Sequence, residues 1–105
     1  MKKIFLTALL ATVTSYAFAS ATDHGEISKL YTNQQGHIAI QLNRGFAKAD
    51  ELNTCPSHSG WAGLHSPDPT LKELLVAAKS SNQDVTVVTS GCEGEWLKIY
   101  SLVIE

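Results

Sequence analysis

The 105-residue chain is poor in the residue patterns that build most catalytic and metal centres. It has two cysteines and no Cys-x-x-Cys, and its four histidines, His24, His37, His58 and His65, include no pair at the i, i+2 or i, i+4 spacing that presents two imidazoles on one face. No metal site is expected. A glycine-rich phosphate loop is absent, as are internal repeats and low-complexity tracts, so no cofactor is expected either. His58, with Ser57, Ser59 and Asp68 nearby, lacks the Gly-x-Ser-x-Gly turn of a nucleophile elbow. The carboxylate pairs Asp50-Glu51 and Glu93/Glu95 would need a deep cleft to act as glycosidase acids, which so small a domain is a poor host for. The expectation is a protein that is not an enzyme.

Long apolar runs are also missing, except at the start. Lys2 and Lys3 precede an apolar stretch from Ile4 to about Val13, and Ala17-Phe18-Ala19 forms a small-x-small site. Thr7, Thr12, Thr14 and Ser15 interrupt the stretch, which falls short of the roughly 20 residues of a bilayer span. Residues 1–19 therefore read as a cleaved export signal, with a second possible cut after Ala21, and residues 20–105 as one domain working in the periplasm or outside the cell. No membrane span is expected after cleavage.

Basic residues are the next scarcity. Beyond residue 19, six Lys and Arg stand against ten Asp and Glu, and the six (Lys29, Arg44, Lys48, Lys72, Lys79, Lys98) form no run. This argues against nucleic acid as a partner.

What is there begins with the cysteines. Cys55 and Cys92 form an even pair in a chain bound for a compartment that can be oxidising, which predicts one structural disulfide. Closing a loop of that length would contribute about 4 kcal/mol by chain entropy.

Glu26 to Thr32 predicts a short strand, Asn33-Gln34-Gln35-Gly36 a turn, and His37 to Leu42 a strand with Ile38, Ile40 and Leu42 on one face. Asn43 to Gly60 reads as a long irregular excursion pinned by Cys55, and Trp61 to His65 as a third strand. After Ser66-Pro67-Asp68-Pro69, the spacing of Leu71, Leu74, Leu75 and Ala78 predicts one amphipathic helix. Asp68 or Thr70 caps its start, and Ser80-Ser81-Asn82 ends it. Val85 to Thr89 is a strand, Ser90-Gly91 a turn at Cys92, and Trp96 to Ile104 a last strand. The resulting β-β-β-α-β-β order is that of an OB-fold, an all-β barrel with one helix plugging one end between strands three and four. An α+β sandwich with an open sheet is the alternative.

The run from Leu71 to Lys79, then Val85-Thr86-Val87-Val88, Gly91-Cys92 and Trp96-Leu97-Lys98-Ile99, resembles small exported bacterial OB-fold proteins. These are similar to the binding subunits of pentameric AB toxins of the subtilase-cytotoxin type, and the resemblance spans Gly25 to Ile104 as an order of elements. It implies a homo-oligomer, pentameric if toxin-like, that binds host glycans while a separate chain does the enzymatic work.

A sugar-binding surface needs exposed aromatic faces beside polar groups. Tyr31, Trp61, Trp96, Tyr100, Asn43 and Gln41 are candidates, each weighed against simple packing. Trp61 leads, because the polar segment Ser57-His58-Ser59-Gly60 precedes it and adds His58 to the set. Trp96, after Glu93-Gly94-Glu95, is second, and Tyr31 completes the ligand-binding candidates. The alternative is a protein ligand, with the chain acting as an exported inhibitor or stress-related partner protein whose acidic surface suits a basic partner.

Overall fold

The structure, a computed structural model, describes residues 20–105; the export signal expected over residues 1–19 lies outside them. Five strands and two helices follow in the order β1 (Ser20–Thr32), β2 (Ile38–Leu42), α1 (Ala47–Leu52), β3 (Ala62–Leu64), α2 (Pro69–Ser81), β4 (Asp84–Glu93) and β5 (Trp96–Ile104). The strands form one sheet in which β1 pairs with β2, β2 with β3, β3 with β5, β5 with β4, and β4 back with β1. Every strand therefore has two partners. All pairs are antiparallel except β3 with β5.

The inside of this circuit is mainly aliphatic. Ile38, Ile40, Leu75, Val85, Val87 and Leu97 are each no more than 1% exposed. Two β-bulges decide which residues join them. Between Ile27 and Lys29 the β1–β2 register slips by one, so Ile27 and Leu30 both reach the core, while Lys29 and Tyr31 pair opposite Gln41 and Ala39. In β5, Tyr100 has no ladder partner in β4, and the inward phase changes there from Leu97 and Ile99 to Leu102 and Ile104.

Helix α2 seats Leu75 and Ala78 in the core and packs against β1 and β5. Asp68 caps it: its carboxylate accepts from the Thr70 N–H at 2.9 Å, and Pro69 supplies a first residue whose missing N–H costs nothing there. At the other end Asn82 takes the left-handed conformation (φ 54°).

Several expectations are corrected. The excursion from Asn43 to Gly60 contains a second helix, α1, which the sequence disguises because its N-cap is supplied from elsewhere. Asp23 of β1 is buried, and its carboxylate accepts from the backbone N–H groups of Lys48 (2.8 Å) and Ala49 (3.3 Å). Phe46 and Ala49 then anchor the helix in the core. Strand β1 begins at Ser20 rather than Glu26, because its first half pairs with β4 before its second half pairs with β2. Ser90-Gly91 is an irregularity within β4, where the β4–β5 register shifts; the turn is Gly94-Glu95, flanked by the pair Glu93 and Trp96. Cys92 accordingly lies in a strand and not in a turn.

The disulfide joins Cys55 and Cys92 with Cα atoms 5.3 Å apart. Cys55 is buried and Cys92 exposed. Among the described residues, no helix is long and apolar enough to cross a membrane.

Candidate functional site

The outer side of the sheet carries a patch built differently from the core. Ala39 is fully buried, yet it alternates with Ile38 and Ile40 and so points away from the aliphatic interior. Its ladder neighbours are Tyr31 in β1 and Gly63 in β3. Gly63 leaves room for no side chain: a Cβ there would lie 2.3 Å from the Ile38 carbonyl oxygen and 2.7 Å from Cε3 of Trp96. Two small residues thus form a floor on which the Trp96 indole rests.

Around Trp96 the rings pack edge to face. Its centroid lies 6.0 Å from Tyr31, 5.3 Å from His65 and 6.2 Å from His37, while Tyr31 is also 6.1 Å from Trp61. The imidazoles of His37 and His65 stack at 4.5 Å. The pairs made by Trp96 and Tyr31, with interplanar angles from 62° to 88°, have the favoured edge-to-face geometry of aromatic rings, whereas the two imidazoles are tilted by 31°. Tyr31, Trp61 and Trp96, together with Ser59 and Glu95, line an open cleft of about 410 Å³. Tyr31 is 41% exposed, the two tryptophans are half-buried, and Glu95 is exposed.

The segment bearing Trp61 has no regular secondary structure and is held by specific bonds. The disulfide fixes Cys55. The Ser59 N–H and Oγ both donate to the Glu95 carbonyl, at 2.9 and 3.1 Å, and the Trp61 carbonyl accepts from Leu97 N–H at 2.9 Å. His58 ties the segment back to α1. Its Nδ1 accepts from the Gly60 N–H at 3.0 Å, so in the neutral ring the proton sits on Nε2, which donates to the Asp50 carboxylate. Both ring nitrogens are thereby engaged within the fold, and neither is free to act as a base toward Ser57 or Ser59. His58 braces the wall of the cleft.

Three of the four candidates, Tyr31, Trp61 and Trp96, come together on one cleft, and His58 stands behind it. Tyr100 belongs elsewhere: it lines a separate depression with Ser90, Gly91, Cys92 and Lys98. Sequence reasoning missed Ser59, Glu95, His37, His65 and Asn33 as neighbours of the cleft. The signal for His37 was available, since it precedes Ile38 on the outward phase of the strand; that for His65 was not, because β3 is only three residues long. Among the described residues, no three His, Cys, Asp or Glu side chains are grouped so as to hold a metal ion. Comparison with protein families, with curated proteins and with solved structures finds no match to this chain.

Proposed function

We propose that the chain is an exported, non-enzymatic binding module that takes a glycan in the cleft formed by Tyr31, Trp61 and Trp96. The observation that carries this reading is the cleft itself. Three aromatic side chains from distant parts of the sequence share one open cleft with polar partners at its rim, which is what a sugar ring with apolar faces and hydroxyl edges requires. A packing role alone leaves the exposure of Tyr31 and the open side of the cleft without use.

The wider resemblance is consistent with this proposal. A closed circuit of five strands, with α2 between the third and fourth, supports reading the domain as an OB-fold barrel in preference to a sandwich with an open sheet. Export suits a domain with a disulfide. A mature chain starting at Ser20 keeps the ladder pairs Ser20 with Ser90 and Ala21 with Thr89, whereas a cut after Ala21 removes both along with a buried residue. Processing after Ala19 is therefore the favoured event. A toxin-like ring of subunits belongs to the same proposal and is read by light scattering of the purified domain.

Trp61→Ala tests the site directly. Retention on immobilised neutral oligosaccharides is expected to weaken about 10-fold or more, while circular dichroism stays that of the parent, because the lost stacking is on the order of 1.5 kcal/mol. A folded variant that binds as the parent does removes Trp61 from the site and the cleft from the proposal.

A further inference from the structure

The turn joining β1 to β2 determines the direction of the hydrogen bonds at one wall of the cleft. Asn33 Oδ1 accepts from the backbone N–H groups of Gln35 (3.0 Å) and His37 (3.1 Å). Both partners can only donate, so the atom that meets them is the amide oxygen and the other is the NH2 group. That NH2 group faces His37 Nδ1 at 3.2 Å and Tyr31 Oη at 3.3 Å. An amide nitrogen donates and does not accept. His37 Nδ1 is therefore an acceptor, and the neutral ring carries its proton on Nε2. Tyr31 Oη is likewise an acceptor toward Asn33, which leaves the hydroxyl proton to be given to something else.

We infer that Asn33 is a positioning residue that makes Tyr31 a hydrogen-bond donor at the cleft, and that the ligand is a neutral saccharide presenting an acceptor oxygen to it. The inference rests on reading the cleft as a glycan site. Tyr31 stands between the two tryptophans that line that cleft. Glu95, an exposed residue lining the same cleft, brings a carboxylate, which can only accept. One donor and one acceptor across an aromatic surface match an uncharged sugar, whose ring oxygen, hydroxyl or acetamido carbonyl accepts from Tyr31 while a hydroxyl donates to Glu95. An acidic sugar would bring a like charge toward Glu95.

Asn33→Asp is the discriminating variant. Its carboxylate still accepts from the Gln35 and His37 N–H groups, so the turn is kept, but its second oxygen cannot donate. Side-chain 15N–1H correlation spectra of the ligand-free protein report which imidazole nitrogen is protonated, once the pH is high enough for the ring shifts to reach their neutral plateau. The parent is expected to show His37 as the Nε2–H form and the variant as the Nδ1–H form, now donating to the carboxylate. A parent in the Nδ1–H form, or a variant that stays Nε2–H, overturns the role of Asn33.

Binding is read separately, by fluorescence titration with lactose and with its sialylated counterpart. Asn33→Asp and Tyr31→Phe should each weaken lactose binding about 10-fold, the effect of one hydrogen bond of roughly 1.4 kcal/mol. A switched His37 with unchanged lactose binding overturns the donor assignment at Tyr31. Tighter binding of the sialylated sugar overturns the neutral ligand. If the parent is retained by no oligosaccharide at all, the glycan reading fails by itself, and the spectra still decide whether Asn33 sets the polarity of this wall.

Discussion

The interior of the strand circuit and the aromatic patch on its outer side are made by the same strands in opposite phase. Ile38 and Ile40 face in while Ala39 faces out; Leu97 faces in while Trp96 lies on the outer floor. Inside, the side chains are mainly aliphatic, joined by Phe46, and burial holds them; the buried Thr89 hydroxyl has no hydrogen-bond partner among the described residues. Outside, the backbone is lined with the smallest residues, Ala39 and Gly63, and the space above is filled by rings that carry a polar edge. The first arrangement serves only the fold. The second leaves Tyr31 exposed and an open cleft beside it, which a purely structural cluster has no need to do.

The bridge between the two regions is the disulfide, and breaking it is expected to have the largest effect. Replacing Cys55 and Cys92 together by serine removes a link across 37 residues, at a cost of about 4 kcal/mol. Urea unfolding of parent and variant measures it. The loss should appear in both regions at once, because Cys55 lies in the core cluster and also begins the segment that carries Ser59 and Trp61. A loss below about 1 kcal/mol would mean that the bonds of His58 and Ser59 hold that segment without the bridge.

Gly63→Ala should come next, at roughly 2 kcal/mol, within the range of overpacking costs. The new methyl group would meet backbone of β2, the Ile38 oxygen at 2.3 Å and the Ala39 Cα at 2.8 Å, and backbone has little freedom to give way. It would also meet the Trp96 ring at 2.7 Å, so tryptophan fluorescence should shift in the fraction that folds. A folded variant with the parent spectrum would show that Trp96 does not rest on this floor.

The interior was easier to read in the sequence than the patch, for a physical reason. Period-two alternation marks Ile38, Ile40 and Leu42, and helical spacing with a local cap marks α2; both signals are contained within a few neighbouring residues. The disulfide followed from compartment and count. Helix α1 was invisible because Asp23, its cap, lies more than twenty residues upstream. The first half of β1 was hidden because its buried positions are Ala21, Asp23 and Gly25, which make no hydrophobic alternation. Tyr31, Trp61 and Trp96 were recognisable as aromatic candidates one by one, but their meeting depends on strand order, on the bulge that turns Tyr31 outward, and on a glycine in a three-residue strand. None of these is local. Asn33 was legible as a turn residue, and its second role, facing Tyr31 and His37 at once, exists only after the hairpin closes.

The smallest effect expected is also the sharpest control on what makes an aromatic side chain part of the site. Tyr100 is 76% exposed, more than any other large hydrophobic side chain among the described residues, and it sits at the bulge of β5 beside Lys98 instead of on the floor of Ala39 and Gly63. If exposure alone made a sugar-binding residue, Tyr100 would be the best candidate. Among the described residues it has neither a second ring beside it to complete a stacking surface nor a polar network to orient it. Tyr100→Ser should therefore change stability by no more than about 0.5 kcal/mol, as surface substitutions do, and leave retention on immobilised oligosaccharide at the parent level. Loss of binding in this variant, with Trp61→Ala unaffected, would move the site from the aromatic patch to the depression around Cys92, and the contrast between the two sides of the sheet would lose its functional meaning.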